Sequence, residues 1–168
     1  GSTLCLPKTA WPPTSTEAAV AVWGTDVPYL QSVESPGEEI APRFSSQEIF
    51  APAEFSEILR AENPDVHLTG SPETWVGETA YTDGGSVETC VIGGIAFSGT
   101  KLRQLFGLNS ARFTLTLKDG QFVFDVQGFG HRVGMSQYGA ESMARLGFSY
   151  RTILLYYYQG AEIGRYEA

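Results

Sequence analysis

Thirteen residues near the C-terminal end of the chain bring together side chains that can do chemistry: Gly128-Phe129-Gly130-His131-Arg132-Val133-Gly134-Met135-Ser136-Gln137-Tyr138-Gly139-Ala140. Histidine moves protons near neutral pH, arginine holds anions, and Ser, Gln and Tyr donate and accept hydrogen bonds to neutral polar ligands. Four glycines fall within these residues, too many for the interior of a helix or strand. Their density calls for positive φ or for close approach of the backbone to something else. Beyond Ala140 the spacing turns helical, with Ala140, Met143, Ala144 and Leu146 on or near one face and Gly147 as the C-cap. The stretch therefore reads as a strand end, a tight glycine loop and a helix start, with polar groups at the turn. A packing role alone would also account for such a turn. The spacing is that of neither a dinucleotide loop nor a P-loop, and Met135-Ser136-Gln137 makes no nucleophile elbow.

The elements that deliver this loop are legible on either side of it. Phe113, Leu115 and Leu117 alternate, Asp119-Gly120 turns, and Phe122, Phe124 and Val126 alternate back, so a β-hairpin feeds Gln127 into the loop. Ahead of it, Ser98 caps a helix with Leu102, Leu105 and Phe106 on one face, stopped by Gly107. After it, Ser149 starts a last helix over about Tyr150 to Tyr158, with Ile153, Leu154 and Tyr157 facing inward and Gly160 closing it.

Earlier in the chain the signals are weaker. Cys5 to Thr16 is rich in Pro and Thr and is expected to be irregular. Ala18 to Trp23 is short, apolar and compatible with a strand. Gly24 to Leu30 reads as a turn and an extended segment, and Ser35 to Pro42 as loop. Phe55, Ile58 and Leu59 predict a helix over Pro52 to Arg60, ended by Asn63-Pro64. Val66–Thr69, Trp75–Tyr81 and Val87–Ile92 read as strands, the last two joined by an Asp83-Gly84-Gly85 turn. The expected fold class is α+β: an antiparallel β-rich domain with several short helices, two of them C-terminal.

Composition bounds the function. The chain has 168 residues, 42% hydrophobic and 12% aromatic, which suits one folded domain rather than disorder. No apolar run is long enough for a transmembrane segment. Gly1-Ser2 reads as a remnant of tag removal, so the chain is expected to be a fragment. Net charge is −8, with twelve acidic and two basic residues over 34–88, but eight basic and five acidic over 98–168. The acidic segment argues against nucleic acid as a partner, while the milder basic half carries the loop. Cys5 and Cys90 have no C-x-x-C partner, and with only His67 and His131 no metal or other cofactor is expected. Cys90 sits in an alternating strand and is read as a buried free thiol.

Gly128 to Ala140, continued by Met143-Ala144, Gly147, Ser149-Tyr150, Ile153-Leu154, Tyr157-Tyr158 and Gly160, resembles the C-terminal signature of the stage II sporulation protein D family, also called the SpoIID/LytB or amidase-enhancer group. Pro28-Tyr29-Leu30-Gln31-Ser32-Val33 is similar to a further element of that family. So are the helix carrying Ser98, Gly99 and Arg103 and the Gly107-Leu108-Asn109-Ser110 that follows it. The likeness covers roughly Val20 to Ile163. It implies an irregular segment over 1–17 and one domain over 18–168, the second half of the family fold.

The resemblance further implies peptidoglycan processing outside the cytoplasmic membrane, by a full-length protein held to it through an N-terminal segment. Lytic transglycosylases of the family cleave glycan strands after N-acetylmuramic acid to 1,6-anhydro products, using one carboxylic acid as general acid and then base. The partners implied are glycan strands and other cell-wall hydrolases. Nothing in the chain matches the family segment that bears the catalytic Glu. Thr16-Glu17-Ala18-Ala19-Val20-Ala21-Val22-Trp23 fits a later family element instead, so no catalytic residue is assigned. His131, Arg132, Ser136, Gln137 and Tyr138, with Ser98 and Arg103, are the expected substrate-binding residues. Arg132 stands where many members have Gly. The chain alone is expected to be inactive, either as the cleft wall of a lytic transglycosylase or as a glycan-binding or amidase-enhancing module.

Overall fold

A computed structural model describes residues 14–37 and 44–165. Its Cα packing divides the chain into two compact units, a central one of residues 43–132 and an outer one built from 1–42 and 133–168. Among the described residues the architecture is α+β, with antiparallel sheets and five α-helices, two of them C-terminal. No helix among the described residues is long and apolar enough to cross a membrane.

The central unit holds two three-stranded antiparallel sheets. In the first, β3 (Ser45–Phe50) and β7 (Phe113–Lys118) flank β8 (Gln121–Gln127). The β7–β8 hairpin turns at Asp119 and Gly120, whose φ values of 50° and 74° give the two left-handed residues that match strand twist. In the second, β5 (Val87–Ile92) lies between β4 (Val76–Tyr81) and β6 (Ile95–Ser98). Helices α2 (Pro52–Glu62) and α3 (Gly99–Phe106) complete the unit. Pro52 enters α2 at its first turn, where a missing N–H is harmless. Phe55 and Leu59, one turn apart, are its fully buried residues.

Aromatic packing dominates this core. The Phe55 ring stacks on Phe122 at 3.9 Å and on Phe106 at 5.1 Å, and Trp75 also stacks on Phe122 at 5.7 Å. Two core helices, one strand and the segment before β4 are thereby fixed to one another, each ring pair adding about 0.5–1.5 kcal/mol beyond the area it buries.

The outer unit is smaller. Strands β1 (Thr14–Ser15) and β2 (Glu34–Ser35) pair antiparallel, and the described residues of the unit also form helices α1 (Ala19–Trp23), α4 (Gln137–Arg145) and α5 (Tyr150–Tyr157). Val33, Met143, Ile153 and Tyr157 form its buried cluster. Helix α4 closes in a Schellman arrangement, with Phe148 N–H bonding Met143 O at 3.1 Å and Gly147 N–H bonding Ala144 O at 3.0 Å.

Several expectations are corrected. Ala18 to Trp23 is not a strand: Ala19–Trp23 is a short helix, because Gly24 at φ 71° caps it and bonds back to Val20 O. Thr14–Ser15 is paired, although read as irregular. Val66 and Leu68 are buried between exposed neighbours, as the alternation required. Yet Val66–Thr69 is no strand: His67 N–H bonds O of the turn residue Gly93 at 2.9 Å, and Leu68 O accepts from the Arg60 guanidinium at 3.0 Å. Leu146 lies off the buried face of α4 at 54% exposure, because the helix has already ended at Arg145. Strand β3 had no counterpart in the sequence reading, and Cys5 lies outside the described residues.

Cys90 is fully buried and free, its thiol pushed up from its ordinary pKa by desolvation and only partly lowered by the Thr79 hydroxyl at 3.4 Å. A raised pKa in the folded state means that the unfolded chain releases this proton first. Its contribution is therefore complete below the ordinary thiol pKa of about 8.5 and is lost as pH rises beyond it. In urea unfolding under reducing conditions, stability should fall between pH 8.5 and 9.5 with a slope of up to about 1.4 kcal/mol per pH unit. Cys90→Ala should flatten that slope, and an unchanged slope would exclude Cys90 as its source.

Candidate functional site

The glycine loop divides between the two units at Arg132 and Val133. Its first half belongs to the central unit and continues from β8. Gln127 N–H bonds Arg112 O at 2.8 Å, Gly128 N–H bonds Phe44 O at 2.7 Å, and Gly130 N–H bonds Asn109 O at 2.9 Å. The Ser110 hydroxyl, fully buried, donates to Gln127 O and accepts from Arg112 N–H. The Gly107-to-Ser110 stretch and the start of the loop, two separate motifs in the sequence, are thus in backbone contact. Gly128 and Gly130 have φ of 75° and 65°, which explains two of the glycines.

Arg132 adopts φ 63° without being glycine. Left-handed backbone costs an L-residue about 1–2 kcal/mol. The guanidinium offsets it: Nη1 donates to Gly84 O at 3.1 Å and to Ser86 Oγ at 3.2 Å, both in the β4–β5 turn. His131, next to it, is exposed rather than buried in the core.

The second half of the loop belongs to the outer unit. Val133 makes an isolated parallel bridge with Glu17. Gly134, at φ 81°, lies against Leu30 and the Tyr158 ring. The Ser136 hydroxyl caps α4 by accepting from Gly139 N–H at 3.1 Å. Gly139 has another reason to lack a side chain, since a Cβ there would run into Tyr157 Oη and Ser35 Oγ. Those two hydroxyls hydrogen-bond to each other at 2.8 Å. Gln137 and Tyr138 are the first residues of α4 and are exposed.

Of the seven residues expected to bind substrate, Ser98, Arg103, His131 and Arg132 lie in the central unit, and Ser136, Gln137 and Tyr138 in the outer one. Four of them are engaged with backbone groups, Arg132 at long range and the other three locally. Ser98 caps α3 by accepting from Lys101 N–H at 3.1 Å, and Arg103 Nε donates to Leu108 O at 3.3 Å. Ser136 and Arg132 act as described. His131, Gln137 and Tyr138 present their side chains at the surface.

Glu17, to which the sequence reading assigns no catalytic role, is set apart by its burial. It is 1% exposed, an acidic side chain buried in the outer unit and bridged through its backbone to the loop. Beside it, buried Thr16 is held through both backbone and hydroxyl: its N–H and Oγ1–H donate to Val33 O, and Val33 N–H donates to Oγ1. The available signal was an acid placed directly before the apolar run Ala18–Trp23.

No family model matches the chain. Among curated proteins, stage II sporulation protein D of Bacillus subtilis (strain 168) is 41% identical over 154 residues, covering 91% of this chain and 43% of that protein. The protein of the same name from Bacillus amyloliquefaciens is 41% identical over 149 residues, covering 88% and 41%. An amidase enhancer of Bacillus subtilis (strain 168) is 25% identical over 204 residues, covering 90% and 28%. The chain spans less than half the length of these relatives.

Two substitutions test the loop. Alanine normally exceeds glycine in stability, but at position 132 the order should invert. Arg132→Ala loses the guanidinium bonds and keeps the strain, so it should be about 1 kcal/mol less stable than Arg132→Gly. Equal or reversed midpoints in denaturant would show that the left-handed backbone carries no strain. Gly139→Ala should destabilise by roughly 1–3 kcal/mol through overpacking. That penalty should shrink in a Tyr157→Phe background, where one of the obstructing oxygens is gone, and a double-mutant cycle measures the difference.

Proposed function

Because this chain belongs, over nine-tenths of its length, to the stage II sporulation protein D family, we propose that it is a glycan-holding part of a cell-wall protein that processes peptidoglycan outside the cytoplasmic membrane. The reaction is lytic transglycosylation. A carboxylic acid protonates the glycosidic oxygen as the bond from C1 of N-acetylmuramic acid breaks. The resulting carboxylate then takes the proton from the 6-hydroxyl of the same sugar, whose oxygen closes on C1 to give the 1,6-anhydro product. Protons balance, and neither water nor a cofactor is consumed. None of the 168 residues matches the family segment bearing that acid, so the role assigned to this chain is to bind and orient the strand.

The observation that carries this reading is the loop itself. Left-handed glycines at 128, 130 and 134 leave its backbone bare of Cβ atoms. His131, Gln137 and Tyr138 stand exposed along it, able to hydrogen-bond hydroxyl or acetamide groups of the glycan. Ser98, Arg103, Arg132 and Ser136 serve the same end by fixing the helix starts and the loop course. Neither His131 nor Gln137 is assigned the transferred proton.

A second reading has its own support in the 25% identity to an amidase enhancer. In it the chain is a non-catalytic module that raises the activity of a partner hydrolase.

Purified sacculi separate these outcomes. The isolated chain should sediment with them and release no anhydro-muropeptides detectable by mass spectrometry. His131→Ala or Gln137→Ala should each weaken binding about 2- to 12-fold, the equivalent of one neutral hydrogen bond. Failure to sediment would sink the glycan-holding role, and anhydro products would show that an acid within this chain is competent. Faster release of peptides by an added amidase would favour the second reading.

A further inference from the structure

The outer unit contains a cavity of about 290 Å³ whose walls include Tyr29, Leu154, Tyr158, Ala161, Glu162 and Ile163. The turn after α5 shapes one side of it: Gly160 takes φ 78° and Ala161 N–H bonds Tyr158 O at 3.2 Å. The walls are carbon and aromatic ring, and the single charge, Glu162, is exposed to solvent.

Two observations give the cavity a ligand chemistry. Among the described residues the Tyr158 hydroxyl makes no hydrogen bond to the protein, although the ring is half-buried. The same hydroxyl would lie 3.6 Å from a Cβ placed on Gly134, so it stands at the edge of the glycine loop. An apolar cavity with one unpartnered phenol at the loop suits a small group carrying a methyl at one end and an amide at the other. Cavities that enclose a drug-sized ligand run from roughly 300 Å³ upward, so this one takes a sugar substituent and part of its ring, not a length of chain.

We propose that this cavity is a subsite for the acetamido group of an N-acetylhexosamine, an assignment that rests on the cell-wall reading above. The methyl packs against Leu154, Ala161 and Ile163, where its removal from water is favourable. The Tyr158 hydroxyl, donor and acceptor at once, pairs with the amide. Tyr29, half-exposed, supplies an aromatic wall for the apolar face of the pyranose. Glu162 sets the competing outcome, because a free amine on the sugar would be drawn to its carboxylate.

The test is titration of the complete chain with two tetramers, one of N-acetylglucosamine and one of glucosamine, followed by NMR or calorimetry, alongside sedimentation with sacculi. The acetylated tetramer should bind at least about 5-fold more tightly, from one buried methyl and one hydrogen bond together. Tyr158→Phe keeps the ring and changes only the hydroxyl. It should weaken the acetylated tetramer about 2- to 12-fold, leave the glucosamine tetramer unchanged and preserve the melting temperature. Equal or tighter binding of the glucosamine tetramer overturns the subsite. So does an unaltered affinity in Tyr158→Phe while sacculi still sediment the chain, and in either case the cell-wall reading stands. No binding to sacculi or to either tetramer removes both.

Discussion

A single hydroxyl pair governs the outer unit. Ser35, at the end of β2, and Tyr157, at the end of α5, are 122 residues apart in sequence and share a buried 2.8 Å hydrogen bond. Gly139 packs directly on that pair. Strand, closing helix and loop helix therefore meet at one point where three small or polar groups must fit together. Tyr156, the neighbouring residue, repeats the tie by donating to Glu34 O at 2.7 Å. Because this unit is assembled from both ends of the chain, its contacts close a very long loop, and entropy must be recovered by few residues. Its buried cluster is small, so the polar ties carry more of the specification than in the aromatic core of the central unit.

The parts of the fold legible in sequence are those in which local signals agree. The β7–β8 hairpin has alternation on both strands and a left-handed pair between them. Helices α3, α4 and α5 each begin with a serine that accepts a backbone N–H three residues on. Where local signals conflict, tertiary structure decides. Ala-Val-Ala-Val reads as a strand by alternation, but Gly24 and the helix preference of alanine win. Strand β3 is polar along most of its length and is held by its full register with β8, including Gln47 to Asp125 at 2.7 Å. No pattern within Ser45–Phe50 announces that partner. Leu146 was misplaced for a simpler reason, since periodicity continues past the point at which Gly147 ends the helix.

The same ambiguity runs through the candidate site. Ser, Arg and Gln near glycines signal ligand binding because they offer donors and acceptors. Helix caps and loop anchors need those very groups. Ser98, Ser136 and Arg103 stand in motif positions, and each is engaged with backbone a few residues away. Sequence places them in motifs as expected substrate-binding residues, but it cannot separate shaping from touching. Burial separates Glu17 in the opposite direction. The sequence marks it only as an acid directly before an apolar run, whereas its 1% exposure separates it from the other acids, because a buried polar group is retained only with polar company.

Arg132 shows how the loop reconciles order with openness. Each left-handed position favours glycine, which has no Cβ to strain there. Glycine, however, leaves the unbound loop many conformations, all of which a ligand would have to order. At 132 the chain instead accepts strain of about 1–2 kcal/mol and ties the residue to Gly84 and Ser86 through a charged donor, whose hydrogen bonds are each worth about 1.5–3 kcal/mol. The balance favours the strained arginine over a relaxed glycine. Gly130 is fixed likewise by Asn109 O, and Gly134 is confined by Leu30 and Tyr158. The loop is thus glycine-rich without being loose, since each of these left-handed positions is held by contacts within its own unit.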